Sequence, residues 1–242
     1  MKGALVIHGL TGTPVTVAPI AEVLAKSGFV IETPLLAGHG TTVEKLKDTE
    51  LEEWYFSVKE GYKRLKTRTD QIYCAGLSLG ALLAVRLALD GEAKIQKLAC
   101  LGTPLRLSPM LEKFFLPMTR IPPFKQFIKY SKKSWEESVL DEVGREIHKN
   151  SSYDKTPIAS VWELQRLQKE ISLSLKDLTV PTILIHSIKD KVAPVSNVDL
   201  FCKLAKRIRP KVVLLERSEH VITLDLEKEI VLKSVADFFL SI

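Results

Sequence analysis

Gly76-Leu77-Ser78-Leu79-Gly80 places a serine between two glycines, after a strand-like apolar run and before a helix-like one. A serine on a sharp strand-to-helix turn stands clear of the backbone, where a base and a substrate can reach it. The glycines leave room for the turn, because a side chain at either position would crowd it. A hydroxyl is a poor nucleophile at neutral pH, so this chemistry needs a base beside Ser78. Five histidines are available. His148 lies in a charged helical stretch and is expected at the solvated surface. His186 ends a strand, a place for a structural hydrogen bond. His8 and His39 sit in the glycine-rich contexts His8-Gly9 and Gly38-His39-Gly40, which read as loop architecture. His220 follows a strand and a short polar loop and precedes the last helix, so it is the expected base.

The histidine in turn needs an acid to fix its tautomer and stabilise the imidazolium that forms. Asp190 follows the apolar run Thr182-Ile183-Leu184-Ile185-His186 and precedes His220 by a strand-helix-strand step. Asp199 is placed on a helix and Asp225 near the next helix start, with capping or surface roles. Acyl transfer also requires donors for a developing oxyanion. The N–H of Leu79 opens the serine helix. The loop after the first strand, His8-Gly9-Leu10-Thr11-Gly12, points to the N–H of Leu10 as the second donor.

These groups must be held by regular elements. Strands are expected at Gly3–Ile7, Val30–Thr33, Gln71–Ala75, Leu98–Gly102, Pro181–His186 and Val212–Glu216. Helices are expected near Pro14–Ser27, Leu51–Lys66, Leu79–Asp90, Asn197–Ile208 and Leu226–Leu240. In the second helix Leu51, Trp54, Tyr55, Val58, Tyr62 and Leu65 share one face at helical spacing, and Thr49 with Glu52 reads as a capping box. The serine helix is apolar all round and must be buried on most sides. Strand and helix alternate as a parallel α/β sheet requires.

The alternation breaks between about 105 and 175, which reads as helices without intervening strands. Phe114, Phe115, Phe124, Phe127, Tyr130, Trp135, Tyr153 and Trp162 crowd this segment, as does Pro122-Pro123. An apolar helical insertion leaving from the strand after the serine helix lies above the carboxyl ends of the sheet, where ligands bind. The expected organisation is a core of residues 1–104 and 176–242 with a helical cap insertion at 105–175, whose aromatics face an apolar acyl group.

Composition narrows the classes. The 242 residues suit one α/β domain with an insertion. The formal net charge of +6 is scattered, and its densest cluster, Lys203 to Lys211, closes an expected helix, where cations complement the dipole. No zinc-ligand spacing, recognition-helix pattern or aromatic-basic RNA motif accompanies it, so neither metal nor nucleic acid is assigned. Cys74 and Cys100 lie in strand-like runs as buried thiols, and with Cys202 they form no disulfide framework. That points to a reducing, cytoplasmic compartment. The chain begins directly on a strand-like run, too short for a signal peptide core. No apolar run spans a bilayer, so no stable membrane insertion is expected.

The matching pieces extend over nearly the whole chain: His8-Gly9-Leu10-Thr11-Gly12, Gly38-His39-Gly40, the Ser78 pentapeptide, the Asp190 loop and His220-Val221-Ile222-Thr223-Leu224-Asp225. With them the chain resembles bacterial carboxylesterases and monoacylglycerol lipases of the α/β-hydrolase superfamily, which use the order nucleophile, acid, histidine. The resemblance implies the α/β-hydrolase fold, with a mostly parallel central sheet and helices on both faces. It implies a triad of Ser78, Asp190 and His220, with Leu10 and Leu79 as oxyanion donors. It implies hydrolysis of short- to medium-chain carboxylic esters, monoglycerides included, without metal or cofactor. Carbon–carbon bond hydrolysis or acyl transfer with the same triad, or binding without turnover, are the other readings of the same fold. Glu219 departs from the family, which commonly has glycine there. A carboxylate at that place either approaches the His220 ring and raises its pKa or points to solvent.

Overall fold

Side-chain alternation along the first strand separates two cores. Leu5 and Ile7 pack on one face of the sheet, Ala4 and Val6 on the other. The computed structural model describes residues 1–122 and 127–241, without the side chain of Phe114. In chain order the elements are β1 (Lys2–Ile7), α1 (Ala18–Lys26), β2 (Val30–Glu32), α2 (Val43–Lys47), α3 (Leu51–Lys66), β3 (Gln71–Leu77), α4 (Leu79–Leu89) and β4 (Ile95–Leu101). There follow β5 (Tyr130–Lys132), α5 (Glu142–Asn150), β6 (Lys155–Pro157), α6 (Ile158–Ser174), β7 (Thr182–Ser187), α7 (Ser196–Leu204), β8 (Lys211–Leu215) and α8 (Lys228–Leu240).

All six expected strands form one sheet, in the order β2-β1-β3-β4-β7-β8, and every pairing in it is parallel. Helices α3, α4 and α6 cover one face; α1 and α8 cover the other. The α/β-hydrolase fold expected from the sequence is this one. The connection reverses direction between β1 and β3, so a crevice opens there at the carboxyl ends of the strands. The Leu10 loop and the Ser78 turn line that crevice.

Helix α4 carries almost no polar side chain because it meets protein on nearly all sides. Leu79, Ala81, Leu82, Leu83, Ala84 and Val85 are fully buried between the sheet, α3 and α6. The start of α3 differs from expectation. The reciprocal bond comes from Glu53, whose carboxylate accepts from the N–H of Glu50 at 2.9 Å. Thr49 instead donates its hydroxyl to the carbonyl of Lys45 at 2.7 Å, closing α2. Helix α7 stops at Leu204, short of residue 208, because Ala205 leaves helical geometry at ψ 71°. Most of the basic cluster therefore lies in the loop before β8 rather than on the helix.

The segment after β4 is not purely helical. Tyr130–Lys132 pairs antiparallel with Lys155–Pro157, and the N–H of Lys133 extends the ladder to the carbonyl of Asp154. Helix α6 packs into the same core as α3 and α4. Pro123 and Phe124 lie outside the described residues. Cys74 and Cys100 are buried free thiols, as expected, and Cys202 is exposed and free. Among the described residues no helix is long and apolar enough to cross a membrane.

Candidate active site

The turn at Ser78 owes its shape to its glycines. A Cβ on Gly76 would stand 2.2 Å from the carbonyl oxygen of Gly80, and one on Gly80 would stand 2.2 Å from that of Ile7. No side chain fits either gap, so β3 can run directly into α4 against the end of β1. Ser78 itself adopts φ 55°, ψ −118°, a conformation a residue with a Cβ rarely holds unless its surroundings enforce it. Its N–H is anchored to the carbonyl of Leu101 at 2.8 Å.

Three residues far apart in sequence meet at this turn. The Nε2 of His220 lies 2.9 Å from Ser78 Oγ, and its Nδ1 lies 2.7 Å from Asp190 Oδ2. With Nδ1–H donating to the carboxylate, Nε2 is left to accept from the serine hydroxyl. Such a chain can move the hydroxyl proton to the ring while the carboxylate holds the tautomer. Burial alone would raise the pKa of Asp190. The field of His220 and hydrogen bonds from His186 and His220 outweigh it, holding the carboxyl well below the usual range. Its Oδ1 also accepts from the N–H groups of Val192 and Ala193, at 2.9 and 2.8 Å.

The His220 loop is tied down by two carboxylates. Asp225, expected near the surface, is fully buried. It accepts from the N–H groups of Leu140 and Asp141, both at 2.9 Å, and from Glu219 N–H at 2.6 Å. Glu227 accepts from the N–H groups of Glu216, Arg217 and Ser218. Nothing nearby in sequence announces the role of Asp225, because two of its donors come from 84 and 85 residues away. Glu219 does not point to solvent. Its buried carboxylate faces Lys191 at 3.6 Å, and burial raises its pKa.

The other histidines also find places. His186 Nε2 lies 2.8 Å from the carbonyl of Ala193, the structural bond expected of it. His8 accepts from the N–H of Leu36 at Nε2, and its ring packs edge-on against His39. His148 corrects the expectation of a solvated surface: it is buried, with its ring against Trp135 and its Nδ1 3.1 Å from Ser152 Oγ. Helix α5 turns this face inward although its sequence is charged.

Burial lowers His8 to about 3, His39 to about 4 and His148 to about 2, whereas an unfolded imidazole titrates near ~6.5. Between those values the unfolded chain binds more protons, so stability is full above ~6.5 and falls as pH drops toward 4. Each group contributes a slope approaching about 1.4 kcal/mol per pH unit. Urea midpoints should therefore fall steeply from pH 7 to pH 4; an unchanged midpoint would contradict neutral, buried rings.

Ser78, His220, Leu10 and Gly9 open onto a cavity of ≈ 300 Å³. Pro104, Leu107, Leu111, Ile158, Val161 and Leu164 give it an apolar wall area. It is aliphatic. Among the described residues no Phe, Tyr or Trp side chain lines the cavity, contrary to the expectation for the aromatics of residues 105–175. Phe115, Tyr153 and Trp162 pack against the core instead, and Phe127 is exposed. Tyr153 braces the loops: its hydroxyl donates to the carbonyl of Gly38 and accepts from Thr41 N–H. Among the described residues no cluster of three or more His, Cys, Asp or Glu is arranged to hold a metal ion.

Comparison with known proteins bears on this geometry. The family model described as Hydrolase_4, Serine aminopeptidase, S33, matches residues 2–227. The chain is 31% identical over 241 residues to a thermostable monoacylglycerol lipase of Bacillus sp. (strain H-257), covering 98% of this chain and 90% of that one. It is 26% identical over 238 residues to a carboxylesterase of Bacillus subtilis (strain 168), covering 98% and 92%. A solved structure from work on LipS and LipT, two metagenome-derived lipolytic enzymes, superposes with a TM-score of 0.87 at 26% identity, covering 98% and 92%.

Proposed function

This chain belongs to the Hydrolase_4 family of serine hydrolases, and from that premise we propose that it is a serine carboxylesterase. It cleaves short- to medium-chain carboxylic esters, monoacylglycerols among them, through an acyl-serine intermediate. The observation that carries this reading is the hydrogen-bonded chain from Ser78 Oγ through His220 to Asp190, open to a cavity with an aliphatic wall. The naming of the two Bacillus relatives as lipase and carboxylesterase favours an ester over a peptide substrate.

In this mechanism Ser78 Oγ attacks the ester carbonyl while His220 Nε2 takes its proton. The N–H groups of Leu10 and Leu79 stabilise the oxyanion; a donor of this kind contributes on the order of 3 kcal/mol to the transition state. His220 then returns the proton to the departing alcohol, and water repeats the sequence on the acyl-serine. Residues 105–175 act as a cap that supplies much of the cavity wall and so selects the ester. The buried free thiols support a cytoplasmic setting.

The test is kinetics over p-nitrophenyl esters of increasing acyl length, with monoacylglycerols and a β-diketone alongside. The aliphatic wall leads us to expect kcat/KM to rise from acetyl to a medium chain, with monoacylglycerols turned over and the diketone untouched. Turnover of the diketone alone would overturn the ester assignment.

A further inference from the structure

Part of the cavity lining is polar and cationic, and the triad does not use it. Lys133 Nζ donates to Thr11 Oγ1 at 2.7 Å and stands 5.0 Å from the centre of the Trp135 ring. Among the described residues no carboxylate lies within ion-pairing distance of it; its ammonium has three N–H donors and one is engaged. His148 belongs to this polar lining, and its buried Nε2 has no partner among the described residues. With Ser152 O–H donating to Nδ1, the neutral ring carries its proton on Nε2 and is a second donor. Lys132 and Lys191 also line the cavity, and among the described residues Glu137 is the one carboxylate that does; Lys191 is matched by Glu219.

This lining stands on the side of His220. The N–H of Val221 donates to the carbonyl of Ser138 at 2.9 Å, joining the polar segment to the residue after His220. In acyl transfer the leaving alcohol departs toward the histidine that protonates it. The aliphatic wall then receives the acyl chain and the cationic wall receives the alcohol.

We propose that Lys133 and His148 form an anion subsite, and that the substrate is an ester whose alcohol carries a phosphate or carboxylate group. The inference rests on the esterase reading for the orientation of the ester. Bonds from an ammonium and an imidazole N–H to an anion are charge-assisted, about twice as strong as neutral ones. Burial holds free Lys133 down to about 7. A bound anion replaces the missing counter-charge and favours the ammonium.

Two matched pairs of soluble esters test this. One is 1-butyrylglycerol 3-phosphate against 1-butyrylglycerol; the other is O-butyryl glycolate against 2-hydroxyethyl butyrate. The wild-type protein should prefer the anionic member of at least one pair by about tenfold or more in kcat/KM, and the preferred pair identifies phosphate or carboxylate. Lys133→Met should bring that ratio to near one, and Lys133→Arg should retain most of it, whatever happens to absolute rates. Titrating the Ser78→Ala protein with the same ligands reads the subsite without turnover. It should bind the anionic member more tightly even if no ester of either pair is hydrolysed, in which case the esterase reading falls by itself. Ratios at or below one in both pairs, or a preference that survives Lys133→Met, would overturn the inference.

Discussion

Ser78→Ala lowers kcat toward a p-nitrophenyl ester by on the order of 10⁵- to 10⁶-fold. The substitution removes the atom that attacks, and among the described residues no other hydroxyl is hydrogen-bonded to the His220 ring to replace it. What remains is binding and oxyanion stabilisation, which in serine hydrolases leaves on the order of 10³-fold over water. The fold should be intact. Ser78 Oγ makes its hydrogen bond to His220, whereas the turn is held by backbone bonds such as Ser78 N–H to Leu101 and by the close passage of Gly76 and Gly80. Circular dichroism and the urea midpoint should match the parent protein. Residual activity near the parent level would place the nucleophile elsewhere.

The second large effect is expected at Asp190. Asp190→Asn keeps shape and size but replaces a charged acceptor by a group that also donates. The amide can present its NH2 to His220 Nδ1, which moves the ring proton to Nε2, where it can no longer accept from Ser78. Loss of tautomer control and of the charge that stabilises the imidazolium costs on the order of 10⁴-fold in kcat. KM should change little, because Asp190 is buried behind the histidine and does not line the cavity. The variant should also be less stable at neutral pH. The depressed pKa of Asp190 means that its charged form stabilises the fold above the ordinary carboxylate range, and that contribution is lost as pH falls. A variant with parent-like kcat would show that His220 needs no acid partner.

The Ser78 turn and the sheet were legible because each has a local signature. A strand, a glycine-bounded serine and an apolar helix specify the turn in one short stretch, and the two contacts near 2.2 Å explain why both glycines are required. Alternating apolar runs specify six parallel strands for the same reason, since buried strands are apolar throughout. What stayed hidden depends on long-range partners. His148 looks like a surface residue among charges, and only the packing of α5 on the loop around His220 turns it inward. Asp225 reads as a cap until its donors at Leu140 and Asp141 are known. Lys133 is one lysine in a basic stretch; its role depends on Thr11, 122 residues earlier. The insertion was the least legible part. Its aromatics suggested a pocket lining, yet aliphatic side chains line the cavity, because Phe115, Tyr153 and Trp162 join the core instead.

In the proposed mechanism Ser78 carries the acyl group between the two halves of the reaction. Treatment with a fluorophosphonate ester, followed by digestion and mass analysis of peptides, tests it directly. One adduct per chain is expected, on the peptide bearing Ser78, absent from Ser78→Ala and formed far more slowly in Asp190→Asn. No adduct on the intact protein, or an adduct on another serine with Ser78 unmodified, would contradict it.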